Sequence, residues 1–270
     1  MKTEAITREN LSRYISMLSN DKFFDIESGR LSGFGACDEK SGDGMGVLAA
    51  EILPDHIRIV KLFTAEKFRK KGVATKLINM VCDLPDELKM PFYIITDRAD
   101  ADFQFLKEKG FVETDSPYKY IYSKLSDMRD IAAPDNVKDG FKIVPINQVP
   151  EQVLSYYISN AEPDKFLRFP EIPIDFDRFS EGSLVCIKDK SICAMLLIEE
   201  PEEAIEISFM HCIDPKALYS ILALIKPALL LEYSEEMNVR ILVCNKNEES
   251  VGKGLLNNCV EKEIKILKKG

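Results

Sequence analysis

Apolar residues recur along this chain with two different periods, and the same succession of periods is met twice. In the first half Ile57, Ile59 and Leu62, with Val60 and Phe63, make a β-rich apolar run, whereas Val73, Ala74, Leu77, Ile78 and Val81 recur at the spacing of one helical face. A short basic turn with a single glycine, Arg69-Lys70-Lys71-Gly72, lies between them. Upstream, the pattern predicts a short strand from Glu4 to Thr7 and a helix with Leu11, Tyr14, Ile15 and Leu18 on one face. Strands over Gly33 to Cys37 and Met45 to Leu53 follow, joined by the polar turn Asp38 to Gly44, and Pro54-Asp55 turns the chain into the run that ends at Phe63. Downstream, Pro91 to Thr96 reads as a strand, and the helix from Ala101 meets a glycine stop at Gly110. Phe111-Val112 and Tyr118 to Tyr122 read as a closing hairpin. A mixed sheet with helices, α+β in character, is expected.

Residues 126 to 140 are polar and turn-rich and read as a linker, which divides the chain into 1–125 and 141–270. The second stretch repeats the first. Phe141 to Val144 is a strand, Val149 to Ser159 a helix, and Leu184 to Lys188 with Ala194 to Glu199 a hairpin around Asp189-Lys190. Ile205 to Ile213 is a long strand, Asp214-Pro215 caps and starts a helix, and Val239 to Cys244 is another strand before a last helix and strand. Pro227 is expected to kink its helix, and Val251-Gly252-Lys253-Gly254 reads as a local helix start.

At 270 residues the length suits two domains of ordinary size, and a chain 46% hydrophobic and 30% charged is globular. The segment Ile221 to Leu231 is broken by Lys226-Pro227 and is too short for a bilayer, and Met1 to Ala5 lacks the apolar core of a signal peptide; a cytoplasmic protein with no membrane partner is expected. Seven scattered cysteines without a Cys-x-x-Cys pair read as buried reduced thiols, and with only two histidines no metal site is expected. A net charge of −9 argues against nucleic acid as a partner.

Against that acidic background the turn stands out. Unpaired N–H groups and about half a positive charge gather at a helix start, which makes it a seat for phosphate. Gly72 lets backbone approach an anion, and Arg69, Lys70 and Lys71 supply charge. Arg69-Lys70-Lys71-Gly72-Val73-Ala74 resembles the Arg/Gln-x-x-Gly-x-Gly/Ala signature of the GNAT superfamily of N-acetyltransferases. The agreement in element order runs over the first 125 residues or so, through the strand at Pro91 to Thr96 and the helix ending at Gly110-Phe111. The second stretch resembles a further GNAT fold without the chemistry, because Cys212-Ile213-Asp214-Pro215 stands where the basic glycine turn would be.

The resemblance implies two tandem GNAT-like domains, each a mixed, mostly antiparallel sheet flanked by helices, and acetyl-CoA as co-substrate. It also implies a cofactor site at Leu62, Phe63, Thr64, Arg69, Lys70, Lys71, Gly72, Val73, Ala74 and Thr75, with the pantetheine arm pairing beside Leu62 to Thr64. The acceptor is expected to be the primary amine of a small molecule or peptide, and the oligomeric state is open. Such an amine, of pKa near 10.4, is only about 0.04% neutral at pH 7, a handicap of roughly 4–5 kcal/mol that a base can relieve. Glu51 and Asp97, at strand ends facing the expected cleft, are the candidate bases; Glu66 reads as solvated. Many family members carry a tyrosine before the helix-ending glycine, placed to protonate the leaving thiolate, but this chain has Leu106 there. Tyr122, on a strand face with Tyr118 and Tyr120, is the candidate substitute. The alternative to an enzyme is a non-catalytic acyl-CoA sensor or scaffold, and a further one is a transferase acting on a larger acceptor.

Overall fold

In the computed structural model, residues 1–18, 20–53, 56–82, 90–96, 101–132, 140–161, 174–199 and 204–270 are described. Among them the chain forms two seven-stranded sheets, in two compact units made of Met1–Ser116 with Ile264–Gly270, and of Pro117–Glu263.

The first unit contains β1 (Lys2–Ala5), β2 (Ser32–Cys37), β3 (Gly44–Ile52), β4 (Ile57–Thr64), β5 (Phe92–Thr96), β6 (Val112–Thr114) and β14 (Lys265–Lys269), with α1 (Asn20–Ser28), α2 (Val73–Cys82) and α3 (Ala101–Glu108). Its strand order is β1-β2-β3-β4-β5-β14-β6, antiparallel throughout except between β4 and β5. One face packs Leu48, Ala50, Ile57 and Ile59 against Val73, Leu77, Ile78 and Val81 of α2. Complete burial of each such aliphatic side chain contributes about 1.5–3 kcal/mol. The other face packs Val47 and Ala49 against Leu11, Tyr14, Met17 and Ile26. Leu11, Tyr14 and Leu18 do not share one helix as the periodicity predicts; two short 3-10 turns, Leu11–Arg13 and Ile15–Met17, carry this region, and α1 follows.

The second unit contains β7 (Lys119–Lys124), β8 (Lys142–Pro145), β9 (Leu184–Lys188), β10 (Ser191–Glu199), β11 (Ile205–Cys212), β12 (Asn238–Val243) and β13 (Val260–Glu263), with α4 (Glu151–Ala161), α5 (Pro215–Glu232) and α6 (Lys246–Leu255). Its order is β13-β7-β12-β11-β10-β9-β8, and β11/β12 is the one parallel pair. Asp189 and Lys190 carry the two positive φ angles, 49° and 64°, that a two-residue hairpin turn needs. Helix α5 runs unbroken through Pro227, and Val251 to Leu255 is the last turn of α6 rather than a start.

The two sheets repeat each other up to β5 and β12 and then exchange a strand. The predicted hairpin of Phe111-Val112 with Tyr118 to Tyr122 does not form: β6 pairs with β14, and β7 pairs with β12 and β13. Only Ile264 separates β13 from β14, fewer residues than the tightest hairpin loop, so those two strands cannot pair with each other. The compact units therefore divide differently from 1–125 and 141–270. Five of the seven cysteines are half-buried rather than buried, only Cys37 and Cys186 being sealed, and all are free.

Strand β13, exposed along its length, is laced to β7 and α6 by ion pairs: Lys119 with Glu249 (2.7 Å) and Glu261 (2.7 Å), and Lys253 with Glu249 (2.6 Å) and Glu261 (2.5 Å). The Lys119 and Lys253 hydrogen bonds depress both carboxyls, Glu249 to about 2. A depressed carboxylate stabilises the fold above its unfolded value and stops doing so as pH falls through its folded one. Amide protection factors over Val260–Glu263 are therefore expected to fall between about pH 5 and 2, and at high salt at neutral pH. Protection indifferent to both would show that backbone pairing alone holds the strand.

Candidate functional site

Strand β4 pairs with β5 only through Ile57↔Phe92, Arg58↔Tyr93 and Ile59↔Ile94. Against β3 the register slips after Ile59, where Ala50 faces Ile59 and Ala49 faces Lys61, leaving Val60 as a bulge. Beyond that point Leu62, Phe63 and Thr64 keep β3 on one side and, among the described residues, have no strand on the other, an open edge for an extended ligand.

At the end of this edge, a 3-10 turn Glu66–Phe68 leads into the basic segment. Phe68 anchors it on the core, with Lys67 and Lys71 4.9 and 5.4 Å from its ring centroid. Arg69 Nε donates to the Thr64 carbonyl (3.5 Å). Lys70 and Gly72 both lie in the left-handed region, φ 60° and 78°, which turns successive amides the same way before α2 begins. The first intrahelical bond runs from Lys76 N to the Gly72 carbonyl (3.1 Å), so the amides of Val73, Ala74 and Thr75 precede it. Lys70, Lys71 and Gly72 are exposed. One contributor is missed by the sequence reading: a Cβ on Gly46 would lie 2.7 Å from Val73 Cγ1 and 2.8 Å from the Phe63 carbonyl, so only glycine lets the helix start sit on β3. A glycine inside a strand pattern is the signal that marks such an approach. The described residues thus suit a pyrophosphate with an extended arm: open amides, three cations and a free strand edge.

The corresponding place in the second unit is closed. There β11 also parts from its parallel neighbour after three pairs, with Ser208 as the bulged residue, but the turn is short and the Asp214 carboxylate accepts from Lys216 N (2.9 Å). The helix start is already capped by an anion.

Glu51 lies at the end of β3, nine-tenths buried, and accepts from Arg58 Nε at 2.6 Å across the β3/β4 ladder. Arg58 is the middle residue of the three that pair with β5. Asp97 falls outside the described residues. Tyr122 stands on β7 in the second unit's sheet, 5.6 Å from the Tyr120 ring and with Lys262 4.6 Å from its centroid. Leu106 is core, packed in the cluster that holds α2. A second buried polar group escapes sequence reading altogether. Glu206, the counterpart of Arg58 in the repeated ladder, accepts from Arg240 Nε (2.7 Å) and from the Tyr120 hydroxyl (3.1 Å). Burial raises its carboxyl above the ordinary value, and Arg240 opposes that rise.

Residues 4–102 match the acetyltransferase (GNAT) family model. No curated protein matches the chain. Among solved structures, a tandem GNAT protein from the clavulanic acid biosynthesis pathway superposes with a TM-score of 0.69 at 12% identity, covering 100% of this chain and 99% of that one. A GCN5-related N-acetyltransferase from Sphaerobacter thermophilus gives 0.65 at 10% identity, over 99% and 95% of the two chains. A glucosamine N-acetyltransferase region of a fungal multi-domain β-N-acetylglucosaminidase gives 0.67 at 13% identity over 98% of this chain, which spans 38% of that longer protein. The GNAT resemblance and the α+β tandem architecture read from the sequence are borne out.

Proposed function

We propose that this protein is an acetyl-CoA-dependent N-acetyltransferase with one working site, in the first unit, that acetylates a primary amine by direct attack. The observation that carries this reading is the basic left-handed turn at an open helix start, immediately beyond the point where β4 parts from β5. Arg69, Lys70, Lys71 and the amides of Gly72 to Thr75 hold the pyrophosphate, and the edge Leu62 to Thr64 pairs with the arm and offers an N–H to the thioester oxygen. Glu51 takes the proton from the acceptor ammonium. The amine nitrogen then bonds to the carbonyl carbon, the carbon–sulfur bond breaks, and the thiolate leaves. Asp97 is the alternative base. The second unit, capped by Asp214, carries no cofactor, and the protein acts inside the cytoplasm.

Calorimetry of acetyl-CoA binding tests the cofactor site. Space around Gly72 is open, but its φ of 78° is costly for any side chain. Left-handed strain of about 1–2 kcal/mol, together with displaced amides whose charge-assisted bonds are worth about 1.5–3 kcal/mol each, should make Gly72→Val bind at least ~10-fold more weakly. Unchanged affinity would remove the assignment.

Leu106 favours a second reading, an acyl-CoA sensor or scaffold, because the helix position of the usual acid is filled by core. Thiol release in the presence of an amine panel separates the two, since a sensor releases none.

A further inference from the structure

The pair Glu51–Arg58 stands at an unusual place for a structural ion pair. Ile57 and Ile59 point into the cluster beneath α2, so Arg58 between them points to the opposite face, the one shared by Val47, Ala49 and Val60. Glu51 has the same parity as Val47 and Ala49 and meets Arg58 directly across the ladder. The pair therefore lies on the sheet face away from the cofactor turn's helix, beside the last rung before β4 leaves β5. An acyl group reaching that gap from the helix side would be met from this face by the acceptor.

The two side chains engage each other through one contact only, Arg58 Nε to Glu51 Oε2 at 2.6 Å. Among the described residues Glu51 Oε1 and both terminal amino groups of Arg58 have no other partner. A guanidinium has five N–H donors in a planar fork that matches a carboxylate, so four donors are unused here. Glu51 is 8% exposed, and the Arg58 side chain 15%, which strengthens whatever either group binds.

We propose, resting on the N-acetyltransferase reading above, that this pair seats a zwitterionic acceptor, a free amino acid. Arg58 holds the carboxylate through its terminal amino groups, and Glu51 faces the ammonium and takes its proton. Opposite charges on neighbouring ladder positions complement opposite charges on neighbouring atoms of the ligand. A simple alkylamine leaves the Arg58 fork empty, and a peptide N-terminus presents an amide where the carboxylate belongs.

The test compares matched acceptors by thiol release from acetyl-CoA, using the full chain: the common L-amino acids against their amides and against the amines lacking the carboxylate. Loss of charge-assisted bonds predicts a kcat/KM preference for the amino acid on the order of 10²-fold for the best acceptor. Arg58→Gln should reduce that ratio to within about threefold, acting on KM, and Arg58→Lys should keep part of it, while acetyl-CoA affinity by calorimetry stays as in the parent protein. The inference is overturned if amines or amides serve as well as the amino acids, or if Arg58→Gln keeps the preference. The parent protein's own acceptor comparison decides even if a variant fails to fold. Turnover with amines but no carboxylate preference removes this inference alone, whereas acetyl-CoA that is not bound, or is bound and never turned over, removes the enzymatic reading with it.

Discussion

Deletion of residues 264–270 is expected to abolish acetyl-CoA binding, although it removes no residue of the basic turn. Strand β14 lies between β5 and β6, pairing five residues with β5 from Lys265↔Thr96 to Lys269↔Phe92 and three with β6 from Ile266↔Thr114 to Lys268↔Val112. Without it β6 has no partner strand, and β5 is held only by its three rungs to β4. Leu267 is fully buried among Leu77, Ile78, Leu106 and Phe111, and Ile266 is 7% exposed. Two buried aliphatic side chains are worth about 1.5–3 kcal/mol each, and each ladder hydrogen bond adds about 0.5–1.5 kcal/mol. Their sum is comparable to the roughly 5–15 kcal/mol that holds a whole domain together. The wall of the cofactor slot should be lost with it. The second unit, complete from Pro117 to Glu263, should keep its order, so circular dichroism retains a large folded signal while calorimetry with acetyl-CoA falls flat. Leu267→Asp, which buries an unpaired charge at the same place, should reproduce the defect without shortening the chain. A truncated protein that binds acetyl-CoA normally would show that β14 is dispensable to the site.

Glu51→Gln is expected to slow acetyl transfer by roughly 10²–10⁴-fold at neutral pH while acetyl-CoA affinity stays within about threefold of the parent value. Glutamine keeps the shape and can still accept from Arg58 Nε, so the change removes the proton acceptor more than the packing. The deficit should shrink as pH rises toward the amine's own pKa near ~10, because the acceptor then loses its proton without help. A merely structural role would instead lower thermal stability and depress the rate by one factor at every pH. Full activity of the variant at pH 7 would leave alignment of amine and thioester as the source of the rate.

Much of this fold follows local rules that can be read one segment at a time. The apolar run Ile57 to Phe63, the glycine turn, the helical face of α2, the Asp189-Lys190 hairpin and the Asp214 cap with Pro215 each depend on residues a few positions apart. Periodicity, left-handed turn chemistry and capping decide such features wherever they occur. The open turn in one half and the capped turn in the other are legible for that reason, and with them the candidate cofactor site. The two short 3-10 turns where one amphipathic helix was expected mark the limit of that reading, because the apolar spacing of Leu11, Tyr14 and Met17 serves either geometry once tertiary packing buries them. What no local rule contains is the choice of partner. The exchange of β7 and β14 depends on which sheet edge each strand meets, and a strand's sequence satisfies any edge with the same alternation. The bulge at Val60, the close seat of Val73 over Gly46, and the meetings of Glu51 with Arg58 and of Glu206 with Arg240 and Tyr120 all join residues from different elements. Short stretches of chain thus carry the elements and the candidate anion seat. Which strands close each sheet and which charges face each other across it emerge on folding, because those are pairings between distant segments that backbone hydrogen bonding leaves interchangeable.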